Sequence, residues 1–118
     1  MGAGDRSRYR LQRVVGISVV GVAQLSDLLV TIVGLSLPGV VEVNPIAVAA
    51  IDALGTIPGL LLLSIAVVGA VVAITETAAE ICRKTKVSPL SVRLLGYAPL
   101  ACVSFVAAGY NLTIIAVV

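Results

Sequence analysis

Residues Val14–Leu37 read VVGISVVGVAQLSDLLVTIVGLSL, and this stretch decides the class of fold. It is longer than the ~20 apolar residues a helix needs to cross a hydrocarbon core of about 30 Å. Fourteen of its residues are Val, Ile or Leu. Each favours insertion by about 0.3–0.6 kcal/mol, which more than offsets the roughly 2.5–3.5 kcal/mol that one carboxyl costs at mid-depth. That carboxyl is Asp27. An acid kept at such depth is retained for a partner or a task. The run is too long for the apolar core of a signal peptide and ends without a small-residue cleavage site, so it is expected to stay as a spanning helix.

The rest of the chain follows the same pattern. Of its 118 residues 59% are hydrophobic and 12% charged, half the ~25% of a soluble domain, and the mean hydropathy is +1.15. Two more runs are long enough to span, within 57–81 and 89–118, and the length allows one small domain over 1–118. The expected fold is all-α: an integral membrane bundle of three transmembrane helices. Between the first two spans, Asn44–Leu54 is too short to cross and is expected to form an interfacial or re-entrant helix within an outer loop over 38–56.

Charge sets the orientation. All eight basic residues fall in two clusters: Arg6, Arg8, Arg10 and Arg13 in segment 1–13, and Arg83, Lys84, Lys86 and Arg93 in or beside the loop 82–88. The positive-inside rule puts both clusters in the cytoplasm, which demands an even number of crossings between them. Two crossings satisfy this, and the chain is expected in the cell membrane with its N-terminus cytoplasmic and its C-terminus extracellular. Asn44-Pro45 and Ser88-Pro89 read as N-caps followed by proline at the first helical position, and Thr56 precedes Pro58 in a similar way. Arg93 is expected to snorkel toward the interface, and Pro99, which cannot donate to Leu95, to kink the third helix.

Gln24, Asp27, Thr31 and Gly34 share one stripe of the first helix. Lipid cannot satisfy such groups, so they point at other helices. By depth, the matching stripe of the third helix is Ala101, Ser104, Ala108 and Asn111, which makes Ser104 and Asn111 the preferred partners of Asp27. Two readings stand side by side: a packing seam in which Asp27 bonds a neighbouring helix, and a proton, cation or ligand site. Asn44 likewise either caps the short helix, with Glu42 solvated on the outer surface, or folds inward with Glu42 over the outer mouth of that site. In the second helix Ala66, Gly69, Ala70 and Ala73 allow close backbone approach, while Glu76 and Glu80 are expected to pair with Arg83 and Lys84. Cys82 and Cys102 read as small buried hydrophobes at different depths. With no histidine and no metal-ligand spacing, no metal or other cofactor is expected.

Gln24-x2-Asp27-x3-Thr31-x10-Glu42-x-Asn44-Pro45 resembles the hallmark of an uncharacterised family of small, largely archaeal prokaryotic membrane proteins, catalogued only as a domain of unknown function. That hallmark is an Asp and a Thr one turn apart in the first helix, then Glu-x-Asn-Pro ahead of a short helix. The resemblance implies a three-helix layout over most of the chain and a single structural or functional unit made of Asp27, Thr31, Glu42, Asn44 and Pro45. It implies no activity.

No catalytic residue is assigned, because the chain has no Ser-Lys pair, no two acids at one depth and no phosphate-cradling loop. The expected function is that of a structural or accessory subunit, held in a homo-oligomer or a larger membrane assembly, without nucleic acid. The near absence of interfacial aromatics (Tyr9, Tyr97, Phe105 and Tyr110 only) fits neighbours made of protein. The alternatives are an ion- or proton-linked transport subunit titrating at Asp27, and a membrane protein of an archaeal virus.

Overall fold

The computed structural model describes residues 2–117; Met1, and Val118 at the end of the expected third span, lie outside the described residues. Four helices follow one another: α1 (Ala3–Leu35), α2 (Pro45–Leu54), α3 (Thr56–Cys82) and α4 (Pro89–Val117). Among the described residues α1, α3 and α4 are long and apolar enough to cross a membrane, and α2 is not.

Helix α1 starts eleven residues before Val14, absorbing the arginine-rich segment that the sequence reading placed ahead of it. Nothing after Gly4 breaks a helix there, and a side chain from α4 holds the extension in place, as described below. At ~1.5 Å per residue its 33 residues reach about 50 Å, and the molecule measures 57 Å along its longest axis. Pro38 and Gly39, the latter at φ +80°, end the helical path and turn the chain back.

Cross-helix pairs fix the directions. Gly16 meets Tyr97, Gln24 meets Ser104, Thr31 meets Asn111 and Gly34 meets Ile115, so α1 and α4 run parallel. Helix α3 runs against both: Thr75 sits against Gly96, and Leu60 packs beside Leu28. Both basic clusters therefore occupy one end of the bundle, and the loop 36–44 the other. Helix α2 folds back along the first turns of α3, with Ala47 against Leu60 and Leu28 and the Ala50 backbone against Gly59. Its start has the expected form, Asn44 Oδ1 accepting from the Ile46 N–H at 3.0 Å ahead of Pro45. The start of α3 does not: Gly55, at φ +92°, is the N-cap, no side chain caps it, and Thr56 is already helical. Helix α4 continues through Pro99.

The core is thin and built of small residues. Val20, Ala23, Tyr97 and Ala101 form one buried cluster, and Leu28, Ala47 and Leu60 the other. Among the described residues Val20 is the one large side chain that is fully buried, while most Leu, Ile and Val face outward. The small face of α4 (Ala101, Ser104, Ala108) is buried against its neighbours, whereas Ala66, Gly69, Ala70 and Ala73 of α3 are turned outward. Cys102 is exposed rather than buried, and both cysteines are free.

Candidate functional site

The loop 36–44 returns alongside α1 instead of arching away from it, and this brings the singled-out polar residues together. Gln24, Asp27 and Thr31 of α1, Glu42 and Asn44 of the loop and Asn111 of α4 all line one cavity of about 450 Å³. Ser64 and Tyr110 complete its polar wall.

The motif Glu42-x-Asn44-Pro45 has a local explanation. Glu42 Oε1 accepts from the backbone N–H of Val43 at 3.0 Å and of Asn44 at 2.9 Å. Asn44 then caps Ile46, and Pro45 needs no partner for the N–H it lacks. Glu42 and Asn44 thereby satisfy the Val43, Asn44 and Ile46 N–H groups at the entry to α2 without outside help. One oxygen of Glu42 does this work; the other takes no hydrogen bond among the described residues.

The partners of Asp27 differ from those expected. Gln24 Nε2 donates to Ser104 Oγ at 3.1 Å, and Asn111 Nδ2 donates to Thr31 Oγ1 at 3.2 Å. Both pairs span eighty residues. In a parallel helix pair that constant offset sets Asp27 opposite Ala107, which also lines the cavity and has no polar side-chain atom. Asp27 is left with the Thr31 hydroxyl of its own helix, donating across a long 3.5 Å. Gln24 and Thr31 thus form the seam to α4, and Asp27 is free of it. Among the described residues every ion pair involves Glu76 or Glu80, and none involves Asp27 or Glu42.

At the basic end the expected pair of Glu80 with Arg83 forms, within a larger polar cluster whose other members (Arg93, Tyr97, Tyr9 and Gln12) the sequence reading did not bring together. Arg93 is only 2% exposed. Its Nε and Nη2 donate to the two oxygens of Glu76 at 3.0 and 2.7 Å, and its Nη1 donates to the Tyr9 carbonyl at 3.1 Å and to Gln12 Oε1 at 3.2 Å. The Tyr97 hydroxyl donates to Glu76 at 2.6 Å, and Arg13 lies 3.9 Å away. The Tyr9 ring covers the guanidinium at 4.1 Å and sends its hydroxyl to Glu80 at 3.0 Å, which also pairs with Arg83 at 3.2 Å. So Glu76 is held by Arg93, not by Arg83 or Lys84, and Arg93 turns inward instead of snorkelling. Its fork matches a carboxylate in two bonds at once, and its bonds to Tyr9 and Gln12 tie the N-terminal extension of α1 to α4. Arg6, Arg8, Arg10, Lys84 and Lys86 are exposed at the same end. The available signal was spacing: Glu76 and Arg93 flank one short loop between antiparallel helices, and Tyr97 follows Arg93 by a turn.

Comparison with curated proteins and with solved structures finds no match to this chain. A family model described as a domain of unknown function (DUF5658) matches residues 18–117. That stretch takes in all the residues of the cavity together with Glu76, Arg93 and Tyr97, and leaves out the arginine-rich start of α1. The chain therefore belongs to the DUF5658 family.

Proposed function

We propose that this chain is a non-enzymatic integral membrane subunit of a homo-oligomer or larger assembly, with the cavity around Asp27 as its working part, a site for a small cation or a proton. The observation that carries this is the state of Asp27: it faces a polar cavity, while the side chains able to tie it to α4 are engaged by Gln24 and Thr31. A packing role alone would use the acid in the seam. Charge supports the same reading, since all eight basic residues sit at or near the far end and the cavity contains two carboxylates with no cationic partner among the described residues.

In this reading the basic end is cytoplasmic, the loop 36–44 and the end of α4 face outside, and α2 is a re-entrant helix over the mouth of the cavity. Asp27-x3-Thr31 and Glu42-x-Asn44-Pro45 are then the family's shared motifs, in a protein of archaeal type. The outward Gly and Ala face of α3 is available for close packing against a neighbour, and three helices cannot by themselves enclose a pathway.

The test is flux into vesicles holding the purified protein, read with proton- and cation-sensitive dyes. Asp27→Asn abolishes flux and leaves the size of the detergent-extracted assembly unchanged. A variant that fails to assemble, in a protein whose wild type carries no flux, refutes the site and leaves Asp27 a packing residue. A stable lone monomer in mild detergent refutes the assembly.

A further inference from the structure

Between α1 and α4, on a side to which α2 and α3 contribute nothing, lies a second cavity of about 360 Å³. Leu11, Val15 and Val19 line it from α1, and Leu94, Ala98 and Ala101 from α4. Leu11, Val15 and Leu94 are at least half exposed, so the groove opens sideways, away from the bundle axis. It is concave because its floor is small: Gly16, where a Cβ would meet the Tyr97 ring, together with Ala98 and Ala101. From the level of Arg8 to that of Val19 it runs ~16 Å at 1.5 Å per residue, the depth of one leaflet of a core about 30 Å thick.

Its polar groups gather at one rim. Arg93 and Tyr97 touch the wall but are engaged by Glu76. That leaves Arg8, which is exposed, and Gln12. The Oε1 of Gln12 is fixed by Arg93, so its Nε2 is directed away with no hydrogen bond among the described residues. A guanidinium and an amide donor thus stand at the rim of a slot whose surface is otherwise apolar, at the end of the bundle that also carries Arg6, Arg10, Lys84 and Lys86. Asp5, the one acid of the arm, lies a further turn out.

We propose that this groove binds an anionic phospholipid of the leaflet at the basic end, one acyl chain along Leu11 to Val19 and the phosphate between Arg8 and Gln12. The proposal rests on the membrane orientation given above and not on the cavity at Asp27. A lipid fits the slot where a second copy does not, because a copy packed here would set its own arginines against these, whereas anionic headgroups are drawn to such a collar.

Native mass spectrometry of the full chain, released from detergent with equimolar dioleoyl phosphatidylglycerol and dioleoyl phosphatidylcholine, tests this. The wild type retains one phosphatidylglycerol in preference to phosphatidylcholine. Arg8→Ala weakens that retention about fivefold, the effect of one basic contact with an anionic headgroup. Arg10→Ala, off the groove, changes little. Ala98→Leu, which fills the slot from an exposed position, reduces retention of both lipids while the sizing profile stays that of the wild type. Asp27→Asn binds lipid normally, so failure of the cation site would leave this result intact. Equal retention of the two lipids, equal losses in Arg8→Ala and Arg10→Ala, or full retention by Ala98→Leu would overturn the proposal.

Discussion

Replacing Glu76 by Gln removes one charge at nearly constant shape from a cluster centred on Arg93, a residue only 2% exposed. Arg93 then keeps its bonds to Tyr9 and Gln12 but loses the carboxylate that received two of its N–H groups at 2.7 and 3.0 Å. Breaking one side of a buried pair costs about 3–5 kcal/mol, because the remaining charge is uncompensated. At about 1.4 kcal/mol per factor of ten the folding equilibrium falls by roughly two to nearly four powers of ten. The ledger has a second half. Replacing both partners by apolar residues of similar volume, Glu76→Leu with Arg93→Met, leaves no charge behind and is expected to recover most of the loss. Reversible unfolding in mixed micelles with an increasing fraction of dodecyl sulfate, followed by circular dichroism, compares Glu76→Gln with the wild type, Glu76→Leu, Arg93→Met and the double variant. A loss below about 1 kcal/mol for Glu76→Gln, the scale of an ordinary hydrogen bond between membrane helices, would refute the reasoning. So would a double variant no more stable than the worse single one, since Arg93 would then not be buried among α1, α3 and α4.

Gly59→Ala places a methyl against the Ala50 carbonyl, where backbone cannot step aside; a loss of about 1–3 kcal/mol in the same unfolding assay is expected. Gly96→Ala meets the Thr75 side chain instead, so its loss is expected to shrink when combined with Thr75→Ala; no recovery would mean that α3 and α4 cross elsewhere. Orientation is read with single cysteines placed at Ser7 or Asp52 in a chain freed of Cys82 and Cys102. A membrane-impermeant maleimide should label position 52 in intact cells and position 7 only after permeabilisation, and the reverse pattern would invert the topology.

The spanning helices were legible because hydropathy is a property of each segment alone, and Asn44-Pro45 because a cap needs only its own neighbours. What the sequence could not show depends on other parts of the chain. The stretch of α1 ahead of Val14 is tied to the bundle at Tyr9 and Gln12 by Arg93, eighty-odd residues later. The polar residues of the cavity were identifiable by their stripe, but not their pairing. Counting 1.5 Å per residue places two helices against each other to within about a turn, and only about a turn separates Ser104 or Asn111 from the position facing Asp27. Periodicity likewise cannot tell which of two small-residue faces meets a neighbour: that of α4 does, and that of α3 does not.

The eighty-residue offset between α1 and α4 has a mechanical implication. Sliding α4 by three residues in one direction would present Ser104 to Asp27, and by four in the other would present Asn111. Each displacement is about one helical pitch, 5.4 Å, the step size of known ratchet movements between packed helices. Either slide must break the bonds of Arg93 to Tyr9 and Gln12, some 20 Å away by helix rise from Gln12 to Asp27, together with the Gln24–Ser104 and Thr31–Asn111 pairs. The contacts at one end of the rod thereby hold the register in which the acid at the other faces no polar side chain of α4.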